Sequence, residues 1–423
     1  MNSLIRCSRH HRWLADAVPP LGFKPVVRTE RTANCWAAVL LSIGVTACGP
    51  VADTARDSMP PDTVILPEAE TCPACTLSMD TLGPTIGGPG DSVGVRFSDA
   101  NSFDLDGQGR IWLAPGVDEG RIVTFDPAGQ VAEVARPGEG PGEFRDIRGL
   151  ATEGDSVLWV WADRSIRFVR HSRGEILSET RNQISMGIHG MIGLSHRRFV
   201  IVGFPRTPGQ VICANCPESE AQPIHPLWLA TFDSAGSLAA HRPVEDLEVM
   251  PVGTHAWVWG GIPVTASRDG GGFWTAALDA VTVTYRDSTG TTRKVYAAAA
   301  PWFAEWDAED FLPDAMVEWL QEDEEGRVWL VIDGDPAVLW DEGRLARVPW
   351  GAPPEPQARS ASPLLNRVSA VVVIDPREEV ILLARVLPVR LLGTNGGPLA
   401  VLTELPMGQQ TITPVRLSIT EKR

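Results

Sequence analysis

The chain has 423 residues, 43% hydrophobic and 21% charged, which is enough to bury a large core and argues against wholesale disorder. A formal net charge of −16 with no basic stripe argues against a nucleic-acid backbone as partner. With 15 Trp, 2 Tyr, 40 Gly and 35 Pro, the composition favours many turns and short strands over long helices.

Residues 1–47 read as a leader and are set apart from the fold. Arg28 and Arg31 precede the uncharged run "WAAVLLSIGVTAC" (Trp36–Cys48). At ~12 residues this run is too short for a permanent membrane span and has the length of a signal-peptide core. It ends in "VTACG" (Val45–Gly49), which resembles the lipobox of bacterial lipoproteins. The resemblance implies cleavage before Cys48 and lipidation of that cysteine. Gly49, in place of Asp, resembles the outer-membrane sorting pattern, so the expected location is the periplasmic side of the outer membrane. An ordinary secretory signal with a coincidental cysteine is the alternative. The stretch before Arg28 is long for a signal n-region, and a start near Val27 gives a more ordinary one. Residues 48–70, rich in Pro, Asp and small side chains, are expected to be the lipid anchor and a flexible tether.

From residue 71 two phrases alternate. The first is "DGQGRIWL" (Asp106–Leu113), matched at six of eight positions by "DEEGRVWL" (Asp323–Leu330), counting Ile and Val as a match. Looser copies are "EGDSVLWV" from Glu153 and "RDGGGFWT" from Arg268. The polar, Gly-rich half suits a tight turn and the β-branched and Trp half a buried strand. The second phrase, "TFDPAGQV" from Thr124 and "TFDSAGSL" from Thr231, is a hairpin, with weaker relatives at Arg167, Thr284 and Val373. Its glycines Gly129, Gly174, Gly236 and Gly290 are 45, 62 and 54 residues apart. Four-stranded propeller blades recur at about 40–50 residues, longer with insertions.

With "GEGPGEF" (Gly138–Phe144), these phrases resemble the six-bladed β-propellers of the NHL-like group, in particular periplasmic propeller lipoproteins, over roughly Cys75 to Ile419. The implied fold is all-β, a six-bladed β-propeller of four-stranded antiparallel blades forming a single domain over 71–423. Blades are expected at about 95–145, 146–188, 189–250, 251–300 and 301–388. The sixth has only "VRLLGT", "PLAVLTEL" and "TPVRLSI", and Cys75–Leu82 is expected to supply its missing strand. Within blade five, "FAEWDAEDFLPDAMVEWLQ" (303–321) is expected to form short helical turns.

The stretch "RPGEGPGEF" (Arg136–Phe144) is read as a connector between blades one and two. A Walker-type loop needs Lys-Ser/Thr after its last glycine, and this stretch offers Glu143 and Phe144. "DLDGQG" from Asp104 resembles the start of a calcium loop, but Pro115 stands where its final Glu belongs, which favours a strand-joining turn. The histidines follow no metal-protease spacing and no Gly-x-Ser-x-Gly elbow occurs. Trp112, Trp159, Trp274 and Trp329 are expected to pack between blades. The acidic runs at 305–310 and 321–325 are read as solvated faces.

Four cysteines remain after the leader and Cys48, as two Cys-x-x-Cys pairs: Cys72 with Cys75, and Cys213 with Cys216. Disulfides, a structural tetrahedral metal site and a redox-active pair are the open readings, with disulfides preferred in an oxidising compartment. No cofactor is expected. The functional expectation is a lipid-anchored binding propeller that presents loops at 205–226 and 349–366 to a protein, peptide or glycan of the cell envelope. The alternative is a calcium-dependent propeller hydrolase acting on lactones or esters, although Asn, used as a ligand in such enzymes, is rare in this chain, and the third reading is a metal or redox protein built on the two Cys pairs.

Overall fold

A computed structural model of the protein describes residues 62–67, 75–88, 102–115, 119–162, 165–172, 175–183, 186–194, 197–205, 227–244, 262–278, 280–298, 315–335, 367–393, 397–405 and 410–421. Among the described residues there is no α-helix, and the strands form six antiparallel sheets that follow one another along the chain. Three short strands precede the first blade: β1 (Thr63–Ile65), β2 (Cys75–Thr81) and β3 (Ile86–Gly87). Blade one is β4 (Ser102–Leu105), β5 (Ile111–Ala114), β6 (Ile122–Phe125) and β7 (Val131–Pro137), extended by β8 (Glu143–Phe144). Blade two is β9 (Ile147–Glu153), β10 (Val157–Ala162), β11 (Ser165–Ser172) and β12 (Glu175–Gln183). Blade three is β13 (Met186–Gly193), β14 (Arg198–Pro205), β15 (Leu227–Phe232) and β16 (Leu238–Pro243).

Blade four is β17 (Val264–Ala266), β18 (Gly272–Ala276), β19 (Val281–Asp287) and β20 (Thr292–Ala298). Blade five is β21 (Ala315–Glu322), β22 (Val328–Gly334), β23 (Val368–Asp375) and β24 (Val380–Leu387). Blade six comprises β25 (Arg390–Gly393), β26 (Leu399–Glu404) and β27 (Gln410–Glu421), with β2 as its outermost strand. The closing strand read from the sequence is therefore in place. Cys75 to Thr81 pair antiparallel with Glu421 to Val415 without a break.

Each seam between neighbouring blades holds its own apolar core, and together these cores account for the ring. On β10, Leu158, Val160 and Ala162 pack toward blade one, while Trp159 and Trp161 pack toward blade three. On β22, Val328, Leu330 and Ile332 face blade four, and Trp329 and Val331 face blade six. Period-2 alternation thus buries both faces of a strand, and a blade alone would expose half of its apolar side chains. Ile86, Ala400 and Ile412 pack on Phe103, Ile111 and Leu113 and close the ring between blades six and one. The four tryptophans named from the sequence each face the next blade, as their buried packing requires.

Two expectations are corrected. The tether expected over 48–70 is not free throughout: β1 adds in parallel to β20, pairing Thr63–Ile65 with Val295–Ala297. Leu66 follows into the core between blades four and five, 3% exposed, so apolar burial holds this piece of an otherwise polar segment. The helical turns expected within 303–321 are overturned where the chain is described. Ala315–Glu322 is the innermost strand of blade five, and its Val317 and Leu320 belong to a strand core.

The two ends of the ring differ. Turns joining strands one to two and three to four share one end, and there Asp caps recur. Asp106, Asp126, Asp233, Asp287 and Asp323 each accept from backbone N–H groups two and four residues on. Gly109, Gly129, Gly236, Gly290 and Gly326 occupy the left-handed position in these turns, with φ of 73–82°. The long connections 206–226, 245–261, 299–314 and 336–366 all leave from the opposite end.

Candidate functional site at the channel

The first strands of successive blades, β4, β9, β13, β17, β21 and β25, pack each on the next. Three of them carry a β-bulge at the same level. Against β10, the pairing passes from Trp161–Gly149 to Ala162–Ile147 and skips Arg148. Against β14 it skips His189, between Gly190 and Ile188. Against β22 it skips Glu318, between Trp319 and Val317. The levels correspond because each skip falls opposite the second and third residues beyond the Trp position. In β14 that position is Val200, since Leu194 N–H bonds Arg198 O as Asp323 N–H bonds Arg327 O.

The local cause is clearest in blade two. The Trp161 indole lies so close to Gly149 that a Cβ there would overlap it. The extra residue Arg148 is then displaced from the ladder. A bulge re-aims the side chain it inserts. Arg148 is exposed while Ile147 and Gly149 beside it are buried. Glu318 retains 24% exposure between the buried Val317 and Trp319.

A charged group surrounds Glu318. Arg390, at the start of β25, places Nη2 3.9 Å from Glu318 Oε1 and 3.2 Å from Asp333 Oδ2. Arg367 places Nε 2.7 Å from the same Asp333 oxygen and donates to Asp333 O at 2.9 Å. Asp333 is wholly buried, and its Oδ1 has no hydrogen-bond partner among the described residues. Asp333 and Arg367 flank the connection 336–366, so the cluster sits at the loop-bearing end. Burial, then the neighbouring Asp333 carboxylate, push Glu318 up to about 7 against the pull of Arg390 and Arg367. Burial pushes Asp333 up as well, and the same two guanidiniums oppose it. Two guanidiniums, Arg367 and Arg390, thus face the two carboxylates Glu318 and Asp333.

The residues singled out from the sequence fall elsewhere. Cys48, Cys72, Cys213 and Cys216 lie outside the described residues, as do the loops 206–226 and 349–366. Cys75 begins β2 and is buried there. The Gly138–Phe144 stretch is a connector held by its neighbours. Glu143 Oε2 accepts from Gly140 N–H, Glu179 Oε2 accepts from Gly142 N–H, and Arg167 donates to Glu143 O. The carboxylate of Asp106 is filled by Gln108, Arg110 and Trp112 donors, which is turn chemistry and leaves no room for a cation. Asp104, pushed up to about 6 by burial, accepts from Thr152 and ties β4 to β9.

The acidic run 321–325 is only partly a solvated face. Glu322 accepts from the Trp274 indole and from Arg268 N–H of blade four, and Asp323 accepts from the Trp329 indole. A surface cleft of about 390 Å³ on the outer flank of blades one and two is lined by Arg136, Ile176, Leu177 and Glu179. Two of its charged groups, Arg136 and Glu179, are committed to the connector through Arg136–Glu143 and Arg167–Glu179.

No known family profile matches the chain, and no curated protein resembles it by sequence. Solved structures resemble it in fold. A member of the duf4221 family from Bacteroides vulgatus has a TM-score of 0.50 at 10% identity, covering 81% of this chain and 99% of that one. A gluconolactonase from Xanthomonas campestris has a TM-score of 0.41 at 13% identity, covering 80% of this chain and 90% of that one. At these identities the likeness shows the fold alone. The chain is a six-bladed β-propeller.

Proposed function

We propose that the protein is a lipid-anchored binding propeller of the NHL-like kind, held through Cys48 on the periplasmic side of the outer membrane. Its loop-bearing end receives a protein, peptide or glycan of the envelope. The observation that carries this reading is the inequality of the two ends. One is closed by short Asp-capped turns, whereas the other carries every long connection together with the bulged residues Arg148 and Glu318. Binding groups concentrate on loops that a rigid scaffold positions.

A photo-crosslinking residue at Asp335, exposed at the loop-bearing end, tests the reading in intact cells. The same group at Ala128, exposed on a capped turn, is the comparison. Adducts from position 335 and none from 128 are expected. Adducts from 128 alone would sink the proposal. The hydrolase alternative needs a calcium site in the channel. Among the described residues no three Asp, Glu, His or Cys side chains come together as a metal site, and Arg390 stands beside Glu318.

A further inference from the structure

We infer that the cleft on the outer flank of blades one and two binds an extended peptide segment of another protein, one that alternates apolar and basic side chains and adds as a strand to β12. This goes beyond the binding reading above, which concerns the loop-bearing end. β12 is the outermost strand of blade two, and no described strand pairs with its outer side. Its ladder with β11 skips Leu177, passing from Ser178–Arg170 to Ile176–His171. The outer strands of blades three, four and five carry the same bulge and skip Ala239, Arg293 and Leu382, of which the first is small, the second charged and the third half-buried. A bulge blunts an open edge. In blade two it instead presents a leucine 64% exposed, the most exposed large apolar side chain among the described residues. Leu177 lines the cleft of about 390 Å³ together with Val134, Pro141 and Ile176. Apolar surface beside an unpaired strand edge suits strand addition, in which backbone bonds give affinity and pockets take alternate side chains.

The chain itself shows that a bulged outer edge accepts such a strand. β1 pairs in parallel with Val295–Ala297 of β20, beginning two residues beyond the skipped Arg293. Counted in the same way from Leu177, the corresponding residues of β12 are Glu179, Thr180 and Arg181. In the β1 ladder Val295 N–H donates to Asp62 O and Leu66 N–H donates to Ala297 O. Their counterparts on the open edge are therefore the backbone groups of Glu179 and Arg181. Side chains alternate between the two faces of a strand, so every second residue of the incoming segment turns toward the cleft.

Charge selects the partner. Among the lining residues Arg136 is paired with Glu143 and Glu179 with Arg167. Glu133 is exposed and has no ion pair among the described residues. It favours a lysine or arginine next to the apolar residue that covers Leu177. A second copy of this chain, at net charge −16, brings like charge to the same surface and is the poorer occupant.

The test is an array of capped hexapeptides in which valine or leucine alternates with lysine, glutamate or serine, probed with the full chain in detergent. Lysine members should be retained, and glutamate members retained about tenfold less. In solution the best lysine peptide should bind saturably, and Leu177→Ser should weaken it about tenfold. Glu133→Lys should reverse the order of the lysine and glutamate peptides. Both residues are exposed, so neither change disturbs the core. Bound peptide should slow hydrogen exchange at the Glu179 and Arg181 amides, which separates strand addition from adhesion to Leu177 alone. Met79→Ser, at an exposed apolar residue on the outermost strand of blade six, should leave binding unchanged. The inference is overturned if no lysine member is retained, if retention ignores Glu133→Lys, or if exchange in β12 does not change. A wild-type dimer that Leu177→Ser dissociates would overturn it equally, because the cleft would then belong to a second copy. Crosslinking from Asp335 is independent of the array, so the loop-bearing end and the cleft stand or fall separately.

Discussion

The indole Nε1 of Trp329 donates to Asp323 Oδ2 at 2.7 Å, and that same oxygen receives Arg327 Nε at 2.6 Å. Blade one repeats the arrangement, with Trp112 and Arg110 on Asp106 Oδ2. A single carboxylate therefore caps a turn, neutralises an arginine and satisfies a buried indole. Replacing Asp323 with Ala leaves the indole and guanidinium donors short of a partner and should cost about 2–3 kcal/mol. Asp126→Ala removes turn bonds alone and should cost about 1 kcal/mol or less. Urea unfolding midpoints compare the two, and equal losses would remove the Trp–Asp bond from the account.

Ring closure can be broken at one residue. Ser78 of β2 faces Ser418 of β27, with their hydroxyls 2.7 Å apart. Ser78→Pro disturbs the ladder in the middle of β2 and is expected to expose the β27 edge. The variant should melt lower and form oligomers on size-exclusion chromatography. A monomeric variant with an unchanged melting curve would show that β2 is dispensable.

The N-terminal strand β1 is anchored by Leu66 rather than by its three backbone pairs. Leu66→Ala empties a position in the core between blades four and five and should destabilise the fold by about 2–4 kcal/mol. Ile65→Ala, at a residue 54% exposed, should change stability by no more than about 0.5 kcal/mol. Thermal melts of both variants decide whether the segment belongs to the folded body.

Stability should depend on pH through two opposed groups. Glu318, raised in the fold from 4.5 to about 7, stabilises the fold below pH 4.5, and that contribution is lost as pH rises through about 7. His171 is buried against Trp112 and held below its ordinary value of 6.5 by burial, then by Arg110. Its folded form resists protonation, so stability is lost as pH falls below 6.5. Glu318→Gln should flatten the decline between pH 4.5 and 7, and His171→Phe should flatten the loss on acidification. Denaturant midpoints from pH 4 to 8 test both, and wild-type-like pH profiles for the two variants would dismiss the assignment.

Lipid attachment has its own experiment. Labelled palmitate should enter the wild-type chain in a bacterial host and be absent from Cys48→Ala. Incorporation into the variant would mean that the anchor lies elsewhere.

The architecture was largely legible because its signals are local. Asp–Gly turns, a Trp six residues after the capping acid, and an unpaired strand near residue 75 can all be read in one dimension. The candidate site was not. Arg148, His189 and Glu318 look like ordinary strand residues until the neighbouring strand shows that each is skipped. Asp333, Arg367 and Arg390 come from three strand termini far apart in sequence, and nothing local ties them together. β1 escaped notice because three residues amid Pro and Asp hold no periodicity. The acidic run at 321–325 was misjudged for a similar reason, since Glu322 finds its Trp274 partner in another blade. The signal available for Asp323 was the Trp six residues on.

The partnership of β2 with β27 also has a consequence for timing. The two strands sit about 340 residues apart in sequence, as the Ser78–Ser418 contact shows, so one emerges early in synthesis and the other late. Five blades can assemble from neighbouring hairpins, but the sixth must wait for both. Until then Leu77 lacks its cover of Leu391 and Val415. Pairings this remote slow folding and leave edges open meanwhile. A chain interrupted anywhere before β27 cannot hide its open edge. Completion of the ring therefore reports on the integrity of the whole polypeptide between the two strands.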